Sequence, residues 1–198
     1  MKITAIKAQV KNADRVSVYV DDTYAFSLNH NQLLEQKLRS GLELDEARLA
    51  ELKAASEAGK LYDRLLRYVL VRPRSHREVE QYCRRKQYDL DQCQQIMERL
   101  EARGYLNDET FARAWIESRS LTKAVSERRL RLELKQKGVR DEIVSRVLAA
   151  SSYNQESALQ TLIAKKKRQA RYQDTDRLIR YLIGQGFSYD DVRAAMGE

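Results

Sequence analysis

His30 and His76 are the only histidines in this chain, and Cys83 and Cys93 the only cysteines. Their spacing matches no zinc pattern, in which Cys or His pairs a few residues apart supply four ligands. No G-x-x-x-x-G-K-[ST] or G-x-G-x-x-G run is present, so a standard nucleotide cradle is missing. Paired carboxylates such as Asp190-Asp191 fall in the first turn of predicted helices, where capping accounts for them. Both cysteines lie on apolar stripes and read as core residues. The expectation is a non-enzyme, with no catalytic residue, cofactor or metal.

The chemistry that recurs is cationic. The formal net charge is +8, and residues 1–57 carry 8 basic and 9 acidic side chains, so the whole positive excess lies beyond them. Clusters sit at Arg72, Arg74 and Arg77; at Arg84, Arg85 and Lys86; at Arg128, Arg129 and Arg131; and at Lys165, Lys166, Lys167 and Arg168. Any one of them reads as a solvated helix face. Their recurrence predicts a basic track for an anionic partner, nucleic acid first, then an acidic protein surface or membrane face. The predicted contact set is Arg72, Arg74, Arg77, Arg119, Arg128, Arg129, Lys135, Lys165, Lys166, Lys167 and Arg168. The run at 165–168 is its strongest member, because four consecutive cations encircle a helix. Arg119 admits two readings: a cation whose stem covers the core edge at a helix end, or a charge aimed into a groove.

The elements that carry these side chains can be read from periodicity. Residues 1–57 open with "ITAIKAQV" and "RVSVYVDDTYAFSL", which alternate with period two. Val16, Val18 and Val20 share one face, and Asp21-Asp22 marks a tight turn. A small antiparallel sheet is predicted, followed by helical turns at 32–38 and 45–53. Beyond residue 58 the chain repeats with a period of roughly 48–51 residues. Val79, Leu130 and Leu178 correspond; so do Cys83, Leu134 and Leu182, then Tyr88, Val139 and Phe187. Each segment follows an amphipathic helix, at 61–69, 111–119 and 159–166. Leu130, Leu132 and Leu134 alternate like a strand, but the repeat register makes them helical.

Punctuation agrees. Ser75-x-x-Glu78 and Ser188-x-x-Asp191 have capping-box spacing. Gly104, Gly138 and Gly186 stand where left-handed C-caps are wanted, whereas the first repeat has Gln87 at that position. In "RGYLNDETFARAWIESR" (103–119), Asn107 caps a helix, and Leu106 and Phe111 are spaced as a hydrophobic staple. Phe111 and Trp115 therefore read as core rather than as a base-stacking surface. The predicted fold is mainly α: tandem three-helix repeats forming a solenoid, preceded by a small β-containing segment. The segments are 1–57, 58–104, 105–153 and 154–198. Two lone thiols suit a reducing compartment, and neither a secretion signal nor a bilayer-spanning run is seen. A soluble cytoplasmic protein is expected.

The stretches "RPRSHREVE" (72–80), "YLNDETFARAWIESR" (105–119), "RRLRLELKQKGV" (128–139) and "YLIGQGFSYDDV" (181–192) resemble the RecX family of bacterial recombination regulators. The N-terminal strands are similar more loosely. The resemblance implies an elongated, curved, non-enzymatic protein, expected to be a monomer. It would bind the RecA recombinase and its nucleoprotein filament on single-stranded DNA, and restrain ATP hydrolysis and strand exchange in DNA repair and the SOS response. Weak direct contact with DNA, and no membrane, would accompany that role. The competing expectation is a stand-alone DNA-binding protein whose three-helix units act as helix-turn-helix modules.

Overall fold

The computed structural model describes residues 1–10 and 12–197. The chain is mostly helical, with a small N-terminal sheet, and it divides into two units. The first comprises residues 1–68 with 89–96; the second comprises 69–88 and the chain from 97 onward.

In the first unit, β1 (Ile3–Gln9), β2 (Asn12–Val20) and β3 (Thr23–Asn29) form an antiparallel meander. Alternation sets its faces: Val16, Val18 and Val20 are buried, while Ser17 and Tyr19 are half-buried on the other side. Val16 pairs with Leu28 and Val18 with Phe26. Asp21 and Asp22 take φ of 46° and 63°, the two left-handed positions that a twisted two-residue hairpin demands. Ile3, Phe26 and Leu28 pack with Leu52 of the long helix that begins at Glu46. Asn29 caps α1 (His30–Glu35) through a reciprocal capping box with Gln32.

α2 runs unbroken from Glu46 to Leu70, so the two helical stretches expected at 45–53 and 61–69 are one helix. The intervening "KAASEAGKL" is rich in strong helix formers, and Gly59 does not break it. Instead a Cβ at Gly59 would lie 2.5 Å from the Gln32 amide, which donates to the Ala55 carbonyl at 3.0 Å. The glycine marks a close approach of α1 to α2. Arg15, 5 % exposed, was not singled out by sequence; it pairs with Asp63 of α2 at 2.6 Å and donates to the Ser27 carbonyl at 2.7 Å.

The second unit holds α3 (His76–Lys86), the latter part of α4 (Leu90–Ala102), α5 (Asp108–Thr122), α6 (Glu127–Gln136), α7 (Asp141–Ala150), α8 (Gln155–Lys167), a 3-10 turn (Ala170–Tyr172), α9 (Thr175–Gly184) and α10 (Tyr189–Met196). The repeat register holds at the core. Val79, Leu130, Leu178, Cys83, Leu134, Leu182, Val139 and Phe187 are all buried, and only Tyr88 is half-exposed. One cluster joins α5, α6 and α7 around Phe111, Leu130 and Val144; another joins α8, α9 and α10 around Leu159, Leu178 and Val192. Ser75, Asn107, Ser126, Asn154, Asp174 and Ser188 each accept from a first-turn N–H. Leu132 stands out of this register on the exposed side of α6.

Candidate anion-binding surface

Within the second unit, successive repeats are joined by one seam, written twice. The Ser75 hydroxyl, at the N-cap of α3, donates to the Lys137 carbonyl at 2.7 Å; the Ser126 hydroxyl, at the N-cap of α6, donates to the Gln185 carbonyl at 2.8 Å. One residue on, the His76 N–H donates to Asp108 Oδ1 at 3.0 Å, and the Glu127 N–H donates to Gln155 Oε1 at 2.9 Å. Three residues past each serine comes a side-chain pair: Glu78 with Lys137 at 2.8 Å, and Arg129 with Gln185 at 2.7 Å. Each seam thus satisfies orphan N–H groups at a helix start and a carbonyl at a helix end. Caps were legible in sequence. Their second partners, some 60 residues away, were not.

These seams decide what the predicted cations do. Arg72 grips Glu78 with two N–H groups at 2.9 and 3.2 Å, Lys137 holds the same carboxylate, and Arg74 lies 3.9 Å from it. Glu78 is only 9 % exposed. Burial pushes its acidity weaker, but the hydrogen bonds from Arg72 and Lys137 outweigh that and hold its pKa below the ordinary carboxylate value. The capping-box spacing at Ser75 is therefore half used, since Glu78 serves these cations instead.

Arg119 pairs with Glu133 at 2.8 Å and stacks its guanidinium 4.5 Å over the Trp115 ring. Trp115 is half-buried rather than fully buried as its core assignment suggested. Its indole N–H donates to Glu133 at 3.0 Å, its ring lies 5.7 Å from Phe111, and the Lys137 ammonium sits 5.2 Å over it. Arg129 reaches Glu133 at 3.7 Å. Lys166, aligned with Arg119 in the repeat, lies 4.6 Å over Tyr181 and 5.0 Å over Tyr172. Arg77, Arg128, Lys135, Lys165, Lys167 and Arg168 are exposed and have no ion-pair partner among the described residues. Between α6, α8 and α9 lies a depression of about 620 Å³ that brings together Lys123, Arg129, Lys165 and Lys166 with the hydroxyls of Ser157 and Thr161. Arg72, Arg74 and Arg77 are not among the residues lining it.

His76 adds a titrating contact at the first seam. Its Nδ1 lies 3.1 Å from Asp108 and its Nε2 3.4 Å from Glu101, and chiefly the Asp108 hydrogen bond raises its pKa above 6.5. A raised folded pKa means the contribution is complete below the unfolded value and fades as pH rises through the folded one. The wild type is expected to lose melting temperature above neutrality in a step that His76→Gln lacks. Parallel melting curves for the two proteins from pH 5.5 to 8.5 would refute this.

Three-helix segments joined by a repeated seam within the second unit, and carrying exposed cations without an ion-pair partner among the described residues, define a helical-repeat protein. Comparison with known sequences narrows the class. The pattern of the regulatory protein RecX N-terminal domain matches residues 1–45, and that of the second three-helix domain of RecX matches residues 107–148. The regulatory protein RecX of Bacillus subtilis is 30% identical over 201 residues, covering 99% of this chain and 76% of that protein. The RecX proteins of Bacillus licheniformis and Listeria monocytogenes EGD-e are 32% and 29% identical, covering 99% and 100% of this chain and 76% of each relative. A crystal structure of regulatory protein RecX superposes with a TM-score of 0.81 at 24% identity, over 100% of this chain and 99% of that one. RecX from Lactobacillus salivarius gives 0.62 at 23% identity, over 72% of this chain and 96% of that one. The chain belongs to the RecX family of regulatory proteins. Among the described residues no helix is long and apolar enough to cross a membrane.

Proposed function

We propose that this chain regulates homologous recombination and DNA repair by binding the RecA recombinase on single-stranded DNA and restraining its ATP hydrolysis and strand exchange. Family membership is the observation that carries this reading. The supporting physical feature is the cationic depression, which Lys165 and Arg129 both line, while Lys167 and Arg168 continue the charge along the end of α8. A nucleoprotein filament presents acidic protein surface and phosphate together, and exposed cations steer toward both. The protein would act in the cytoplasm, as a monomer and without a cofactor, through segments 1–57, 58–104, 105–153 and 154–198.

The test reverses only cations that carry no structural contact: Lys165→Glu, Lys167→Glu and Arg168→Glu together. Lys166 is left in place because it covers two tyrosine rings. Co-sedimentation with RecA filaments is expected to weaken by about tenfold or more, equivalent to ~1.4 kcal/mol. ATPase restraint should fall in parallel and helical content should be unchanged. Wild-type protein that neither sediments with filaments nor slows ATP hydrolysis would reject the reading. Sequence-specific binding to naked DNA with a steep salt dependence, and no effect on RecA, would favour a stand-alone DNA-binding protein.

A further inference from the structure

A second depression, of about 460 Å³, opens between α6 and α9, and its character differs from the first. Leu132 and Ile183 line it, 55% and 41% exposed, framed by Arg128, Arg129 and Gln136. Leu132 is the residue that broke the helical pattern of α6, and the fold gives it no core contact to explain it. Arg129, Glu133 and Gln185 border both depressions. Glu133, the one carboxylate among the described residues that line either depression, is already held by Arg119 and Trp115. The apolar pair therefore sits beside a positive field that continues to Lys165.

We infer that this face docks an extended acidic segment of a partner protein, which places an aliphatic side chain between Leu132 and Ile183 and carboxylates on Arg128, Arg129 and Lys165. The inference rests on the RecA-filament reading and names the chemistry of the partner at this site. Charge complementarity argues for acid, and exposed aliphatic side chains argue for protein. Single-stranded nucleic acid is held through bases stacked on open aromatic faces. The rings nearby are covered, Tyr181 by Lys166 at 4.6 Å and Trp115 by Arg119 at 4.5 Å.

The full chain carrying Leu132→Glu and Ile183→Glu is compared with wild type on RecA filaments and on naked oligo-dT. In parallel, p-benzoylphenylalanine replaces Leu132 and is irradiated in the ternary mixture. Filament binding is expected to fall by about tenfold with oligo-dT binding unchanged, and photoadducts should form on the RecA polypeptide. Photoadducts on the DNA strand would assign the face to nucleic acid and overturn the proposal. So would full filament binding by the double variant, or photoadducts on neither component, while wild type still sediments. Failure of the wild type to sediment overturns the RecA reading and this inference with it. Because the photoreactive residue replaces an exposed side chain, its result stands even where the double variant proves unstable.

Discussion

Gly138→Ala and Gly186→Ala are each expected to cost about 2–4 kcal/mol of stability, against about 1–2 kcal/mol for Gly104→Ala. All three glycines hold a left-handed backbone, with φ of 82°, 94° and 75°. An alanine at any of them incurs the backbone cost. The difference lies in what the new methyl meets. At Gly138 it would lie 2.8 Å from the Arg77 Cβ, and at Gly186 it would lie 2.6 Å from the Ser126 Oγ. At Gly104 nothing lies within 4 Å. Arg77 Cβ and Ser126 Oγ are fixed close to the backbone of a docked helix start, so the seam itself has to open. In a repeat array, stability is a sum of unit and neighbour-interface terms. Weakening one interface should therefore broaden the urea transition as well as shift it. Equal midpoints for the three variants would show that the seams carry no coupling.

The same seams explain a gap in the sequence pattern. Gln87 occupies the aligned position in the first repeat with φ of 56° and no glycine, and it is exposed. It bears the left-handed strain with its side chain in solvent. The glycine signal in this family of positions thus reports docking, beyond capping alone. Periodicity made the apolar half of the fold legible, because Val79, Leu130 and Leu178 obey the helical period and burial follows from it. The hairpin was legible because Asp-Asp suits two left-handed residues. The continuity of α2 was missed because the charge asymmetry and the start of the repeat placed a segment boundary at 57/58, inside one helix, where Gly59 makes room for Gln32. The polar half was illegible for a different reason. A serine cap looks the same whether its hydroxyl meets water or a carbonyl three helices further along the chain. Charge runs likewise gave the number of cations but not their engagement. Lys166 belongs to a run of four yet lies over two tyrosines, while its neighbours Lys165 and Lys167 are exposed and unpaired among the described residues.

Glu78→Gln should separate stability from anion affinity, lowering the first by about 2–3 kcal/mol while raising the second. The carboxylate is 9 % exposed and joins Arg72, Arg74 and Lys137, whose side chains are 44%, 17% and 33% exposed. An amide keeps the volume but leaves these cations with a neutral acceptor, and because they are partly solvated the loss stays below that of a fully buried pair. The pH dependence carries a sign. A folded pKa below the ordinary 4.5 means the contribution is complete above that value and is lost as pH falls through the folded pKa. The gap in unfolding free energy between wild type and variant should hold steady from pH 6 to 8 and close in acid. Neutralising Glu78 also removes the charge that holds Arg72 and Lys137, so binding to single-stranded oligonucleotide should tighten and log K should fall more steeply with log salt, by up to about 1 in slope. Tighter binding by a less stable protein would mean that Glu78 restrains the cations as well as fixing the seam. Weaker binding would mean that the cations act only in the positions Glu78 gives them, and the first seam would then be part of the binding surface.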